Sequence, residues 1–154
     1  MAELHVGEKA PEFTLPTGDG GSVSLKDLKG STVILYFYPK DNTSGCTKEA
    51  CAFRDNISVL RKRGVTVIGV SADSVDSHRK FAEKYKLPFT LVSDEKKEVI
   101  GKYGVWKEKS MYGRTFLGIQ RTTFVIDGKG AITHIFSKVR VEGHVEELLE
   151  LLAQ

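Results

Sequence analysis

Ser31-Thr-Val-Ile-Leu-Tyr-Phe-Tyr-Pro39 is almost continuously apolar and rich in β-branched and aromatic residues, which suits a central strand buried on both faces. Pro39 ends it, because proline cannot donate to a ladder. A polar run from Lys40 to Gly45 follows, and then Ala50, Phe53, Ile57 and Leu60 recur at three- and four-residue spacings. That period predicts an amphipathic helix over Thr47–Arg63, stopped by Gly64. Val65–Val70 is a second buried strand. Towards the N-terminus, two short alternating runs in Phe13–Leu25 flank a Gly/Asp cluster and predict a hairpin. Towards the C-terminus, Ser71, Asp73 and Ser74 offer caps for a helix running to Tyr85. A short strand at Phe89–Val92 comes next, and then a capped helix from about Asp94 to Tyr103. Strands at Arg121–Ile126 and Ile132–Val139 bracket an Asp127–Gly130 turn, and Gly143–Leu152 reads as a closing helix. Lys107–Gln120 has no clear period and is expected to be a functional or mobile loop. The sum is an α/β protein with a mixed central sheet flanked by helices and an N-terminal β-hairpin. With 154 residues, one domain spanning 1–154 is expected.

Composition excludes several classes. The net charge of +3 and 40% apolar content are ordinary for a folded soluble domain. The longest apolar run, Val33–Tyr38, falls far short of the roughly 18 to 20 residues a bilayer requires. Met1–Gly7 carries an early acid and lacks a basic, then apolar, leader, so a cytoplasmic location is expected. The most basic stretch, Arg79–Arg114, interleaves its charges with Phe81, Tyr85, Val99 and Ile100 at helical spacings. It reads as solvated helix faces, not as a nucleic-acid site. No G-x-S-x-G motif or phosphate-binding glycine loop is present.

The two cysteines are too few for a disulfide scaffold, and in a reducing compartment such a pair points to thiol chemistry. Cys46 falls where the buried strand has ended and the helix begins, so unpaired N–H groups and the positive end of the helix favour a thiolate there. Such a loop also emerges at the carboxyl end of a strand, where open α/β sheets bind ligands. Cys51 lies five residues on. In an ideal helix that spacing separates the Cα atoms by about 8 to 9 Å, beyond the roughly 7 Å a disulfide spans. If the two pair, the first turns must unwind. The same pair is equally compatible with a chance surface thiol and a small buried helix residue. Metal binding is poorly served, since the spacing is not C-x2-C and no histidine lies nearby; a C-x-x-C exchanger motif is absent.

The residues around Cys46 carry more. Pro39-Lys-Asp-Asn-Thr43-Ser-Gly-Cys46 resembles the Pro-x3-Thr-x2-Cys motif of peroxiredoxins, thiol peroxidases of thioredoxin-like fold. Thr47-Lys-Glu-Ala-Cys51, Met111-Tyr-Gly and Arg121-Thr-Thr-Phe-Val-Ile-Asp127 are similar to the bacterioferritin comigratory protein, or peroxiredoxin Q, subfamily, and the resemblance runs from Gly7 to the last helix. Ser44 departs from it, standing where proline is usual; it is expected to loosen the loop or share in capping.

The resemblance implies that Cys46 is the peroxidatic thiol and Cys51 the resolving one, giving an intramolecular Cys46–Cys51 disulfide. It implies that Thr43 holds the peroxide through its hydroxyl, with a helix cap as the plain alternative, and that Pro39 shields the sulfur. The N–H groups of Gly45 and Cys46 would donate to substrate, and Arg121 would sit beside the thiolate. Glu49, three residues after Cys46, is placed to orient that arginine. Trp106 and Tyr112 are left out of the catalytic set. No metal or other cofactor is implied. The implied partners are a peroxide substrate and thioredoxin as reductant, with glutaredoxin as the alternative, for a monomeric enzyme. Competing readings are a thiol-disulfide exchange or redox-sensing module of the same fold, and an interaction domain with inert cysteines.

Overall fold

The computed structural model describes residues 3–153. β1 (Thr14–Pro16) and β2 (Ser22–Ser24) form the expected hairpin, and a short 3-10 turn follows at Leu25–Leu28. Then come β3 (Thr32–Phe37), α1 (Ser44–Lys62), β4 (Val65–Ser71), α2 (Val75–Tyr85), β5 (Thr90–Ser93) and α3 (Glu98–Lys102). β6 (Trp106–Met111), β7 (Arg114–Ile119), β8 (Thr122–Ile126), β9 (Ile132–Phe136) and α4 (His144–Leu151) complete the chain. The sheet has five strands in the order β5-β4-β3-β8-β9; β5, β4 and β3 are parallel, and β8 runs antiparallel to both of its neighbours, β3 and β9.

Alternation along β3 divides the core. Val33, Leu35 and Phe37 pack with Val99, Ile100 and Tyr103 and with Phe124 and Ile126 on one face. Ile34, Tyr36 and Tyr38 pack with Ala50, Phe53 and Leu60 of α1, Phe81 of α2 and Val145 and Leu148 of α4 on the other. Each such side chain taken from water contributes about 1.5 to 3 kcal/mol, so β3 fixes where α1 begins.

Several boundaries move. The helix expected from Thr47 starts at Ser44, so Cys46 lies inside its first turn. Of the three proposed caps before α2, Ser74 is the one that accepts from a helix N–H, that of Ser77 at 3.1 Å. The helix expected over Asp94–Tyr103 shrinks to Glu98–Lys102, because Lys97 is left-handed (φ 61) and the Asp94 carboxylate reaches forward to the Ile100 N–H.

The segment expected to be a loop, Lys107–Gln120, is the antiparallel hairpin β6–β7. Its two-residue turn has positive φ at both Tyr112 (54°) and Gly113 (76°), the conformation that matches strand twist. Lys107, Glu108, Lys109 and Ser110 are polar and half-buried or exposed, so the strand carries no apolar alternation to read. Among the described residues no helix is long and apolar enough to cross a membrane.

Candidate active site

The chain leaves β3 through Tyr38 and Pro39 and turns at Asn42, whose φ is 60°. Thr43 is extended (φ −93°, ψ 159°) and stands at the N-cap position of α1, but its hydroxyl does not cap. It donates instead to the Lys40 carbonyl at 2.9 Å. The hydroxyl hydrogen is thereby committed within the loop, leaving its oxygen as an acceptor. Ser44 is the first helical residue and makes no cap, so the sharing of capping expected of it is not realised. Gly45 and Cys46 follow in the first turn, where backbone N–H groups have no intrahelical acceptor.

Cys46 is buried, 2% exposed, in the apolar cluster of α1 and β3. Arg121 reaches it from across the sheet. β8 pairs antiparallel with β3 and sets Phe37 opposite Thr122, so the residue before Thr122 lies beside the carboxyl end of β3. From there the guanidinium Nη2 donates to Cys46 Sγ at 3.4 Å and Nη1 to Glu49 Oε1 at 2.6 Å. A Cβ on residue 45 would lie 3.2 Å from Arg121 Nη2, so glycine there lets the cation approach the helix end.

Burial pushes the Glu49 carboxyl up to about 7, against the downward pull of Arg121. Burial also works against the Arg121 charge, but Glu49 and Cys46 outweigh it and hold the guanidinium above its usual range. Oxygen Oε2 of Glu49 is buried without a partner. The guanidinium is thereby fixed between the Cys46 sulfur and the Glu49 carboxyl group.

The fold thus brings together Cys46, Gly45, Glu49 and Arg121, with Thr43 at the cap. Pro39 is half-buried just beyond β3, and Cys51 is half-buried farther along α1. Both thiols are free. Tyr112 stands at the hairpin tip, 96% exposed, and Trp106 packs at the edge of the other core face with Lys97 over its ring. A second cation went unread in the sequence. The stem of Lys109 crosses Gly118, whose Cβ would meet Lys109 Cδ at 3.2 Å, and its Nζ donates to the Ile119 carbonyl at 2.9 Å. Burial, then repulsion from Arg121, lowers its affinity for a proton, while Cys46 acts the other way. Only the β6–β7 pairing reveals this placement.

Residues 6–135 match the AhpC/TSA family. Over 146 residues the chain is 56% identical to a protein of Coxiella burnetii named putative peroxiredoxin bcp, covering 95% of this chain and 97% of that one. It is 46% identical over 154 residues to peroxiredoxin Bcp of Escherichia coli K12, covering 100% and 99%. The chain belongs to the peroxiredoxins. Among solved structures, a mutant peroxiredoxin Q of Xylella fastidiosa superposes with a TM-score of 0.93 at 34% identity, covering 99% of this chain and 98% of that one. The bacterioferritin comigratory protein of Xanthomonas campestris, studied for alkyl peroxide reduction, superposes with a TM-score of 0.87 at 38% identity, covering 92% and 90%. This peroxiredoxin is accordingly a thiol peroxidase of thioredoxin-like fold, of the bacterioferritin comigratory protein group. Its family implies a peroxide substrate and a thiol reductant.

Proposed function

We propose that this peroxiredoxin reduces hydrogen peroxide and organic hydroperoxides through Cys46, with Cys51 as the resolving thiol and thioredoxin as the reductant. The Cys46 thiolate attacks one peroxide oxygen. An S–O bond forms, the O–O bond breaks, and the second oxygen leaves with a proton as water or alcohol. Thr43, its hydrogen turned to Lys40, accepts from the peroxide O–H and so selects one orientation of the substrate. The Gly45 and Cys46 N–H groups and Arg121 serve the charge that develops on the departing oxygen. Glu49 positions Arg121, and Pro39 limits the access of water. The observation that carries this reading is the Arg121 guanidinium held at once on Cys46 Sγ and Glu49 Oε1.

The sulfenic acid is then attacked by the Cys51 thiol, which forms the disulfide and releases water. Both cysteines lie on one continuous helix, so the first turns of α1 must open before the sulfurs meet. Thioredoxin, or glutaredoxin in its place, returns both thiols by disulfide exchange.

The test is the intact mass and peptide map of reduced enzyme after one equivalent of hydrogen peroxide, with residual peroxide followed in time. Rapid consumption, loss of two hydrogens and a Cys46–Cys51 link are expected. Unreacted peroxide with two free thiols would overturn the peroxidase assignment of Cys46. In Cys51→Ser the first reduction should persist and thioredoxin-supported turnover should disappear; undiminished turnover would remove Cys51 from the resolving role. Disulfide exchange with protein substrates in the absence of peroxide consumption would favour an exchange module.

A further inference from the structure

On the side of the loop away from Arg121 lies a second buried charge cluster that the reaction scheme does not use. Asp41 follows Pro39 by two residues, and its side chain is 3% exposed. Three donors converge on its carboxylate: Tyr38 OH at 2.5 Å on Oδ1, and Ser77 Oγ at 2.8 Å and His78 Nδ1 at 2.7 Å on Oδ2. Its backbone N–H donates to Asp73 Oδ2 at 2.7 Å, which also accepts from Ser71 Oγ at 2.7 Å. The other nitrogen of His78, Nε2, faces the Val92 carbonyl at 2.9 Å. Each ring nitrogen of His78 faces a group that can accept a hydrogen bond, so the ring is held from both sides. The His78 side chain is wholly buried.

The neighbouring contacts point the same way. Asn42 Oδ1 accepts from Tyr85 OH at 3.1 Å and Lys84 Nζ at 3.4 Å, and Arg54 Nη1 donates to the Tyr85 carbonyl at 2.7 Å. α2 therefore grips the chain at residues 41–42 and again at residue 54. Between those grips, Cys46 and Glu49 accept their side-chain hydrogen bonds from Arg121. The segment that must open is bracketed by two fixed points on one helix.

We propose that Asp41 and His78 are positioning residues for the peroxidase reaction: their pair holds the loop and the first turn of α1 in the closed pocket and so delays the opening that delivers Cys46 to Cys51. This rests on the reading of Cys46 and Cys51 as peroxidatic and resolving thiols. Two reactions then compete for the same sulfenic acid. In the open form Cys46–SOH and Cys51–SH give the disulfide and water. In the closed form a second peroxide oxidises Cys46–SOH to the sulfinic acid and is itself reduced to water or alcohol. A tighter pair favours the second outcome.

The experiment measures the ratio of disulfide to sulfinic acid by mass spectrometry over a range of hydrogen peroxide, in the wild type, in Asp41→Asn and in the double variant Asp41→Ala/His78→Leu. The double change removes both members and leaves no lone buried charge. Amide exchange of residues 44–50, β3 and α4 is followed alongside. The peroxide needed to overoxidise half of Cys46 should rise on the order of tenfold, as expected when hydrogen bonds to a charged group are lost. Exchange should quicken in residues 44–50 while β3 and α4 stay unchanged. An unchanged ratio overturns the proposal, and so does exchange that quickens equally in every element, which marks a merely structural pair. Absence of any disulfide in the wild type instead overturns the assignment of Cys51.

Discussion

The loop that opens α1 runs between two buried charge clusters assembled on opposite terms. On one side Asp41 meets three donors and both nitrogens of His78 meet acceptors, so each polar atom has a partner. On the other side Arg121 divides itself between a sulfur and a carboxylate, and Glu49 Oε2 is left with no partner. Both ion-pairing sets are largely dry, at 0% and 3% for His78 and Asp41 and 17% and 1% for Arg121 and Glu49. Burial therefore does not separate them; satisfaction does. A saturated cluster is held rigid and has nothing left to give a substrate. A cluster short of partners keeps its field available to whatever charge appears next, which is the condition for an activated sulfur.

The sharpest way to break this contrast is to remove the cation. Arg121→Met keeps an unbranched apolar stem and deletes the donors, and the second-order rate constant for peroxide should fall by about 10²- to 10³-fold, as when one preorganised donor is lost. Stopped-flow peroxide consumption checks this. A fall of only a few-fold would mean that Lys109 and the helix end suffice.

The next effect is on stability. Burial raises the Glu49 carboxyl to about 7 from an ordinary 4.5, so between those values the folded chain holds a proton that the unfolded chain releases. That stabilising contribution is complete below about pH 4.5 and is lost as pH rises through about 7, a change on the order of 3 kcal/mol. Urea unfolding at a series of pH values should show this decline in the wild type and its absence in Glu49→Gln. The same slope in both proteins would assign the decline to another group.

The contrast itself was only half legible from the sequence. β3 and β4 announce themselves as continuous apolar runs, and α1 as a 3.6-residue stripe, because their side chains pack on the sheet. The hairpin β6–β7 did not, since its strands are mostly solvated and paired only with each other. Cys46 at a strand-to-helix junction could be reasoned from the residues. Arg121 beside it could not, because its place depends on the Phe37–Thr122 register between strands far apart in the chain, and the family resemblance supplied it instead. Asp41 and His78 left a fainter sign: His78 shares the buried stripe of α2 with Phe81, and a polar residue on such a stripe requires a partner. Nothing local says that the partner stands thirty-seven residues earlier.

In the saturated cluster, Ser77→Ala removes one of three donors to Asp41. A cost of about 1.5 to 3 kcal/mol in the free energy of chemical unfolding is expected, the range for a hydrogen bond to a charged group. A neutral result would show that Tyr38 and His78 alone satisfy the carboxylate, and the two clusters would differ more than the geometry implies.

The smallest change bears on the hinge between the clusters. Ser44 is the first residue of α1, where a missing N–H is harmless and the φ that proline fixes is already helical. Thr43 before it is extended, the conformation a following proline demands. Ser44→Pro is therefore accommodated in the closed pocket and restricts the opened chain, which stabilises the closed form by about 0.4 to 1 kcal/mol. Disulfide formation after peroxide should slow by about two- to fivefold, with the initial oxidation of Cys46 unaltered. Double-mixing kinetics with tryptophan or mass detection separates the two steps. A faster disulfide step would place the opening upstream of residue 44, within the part of the loop that Asp41 ties down.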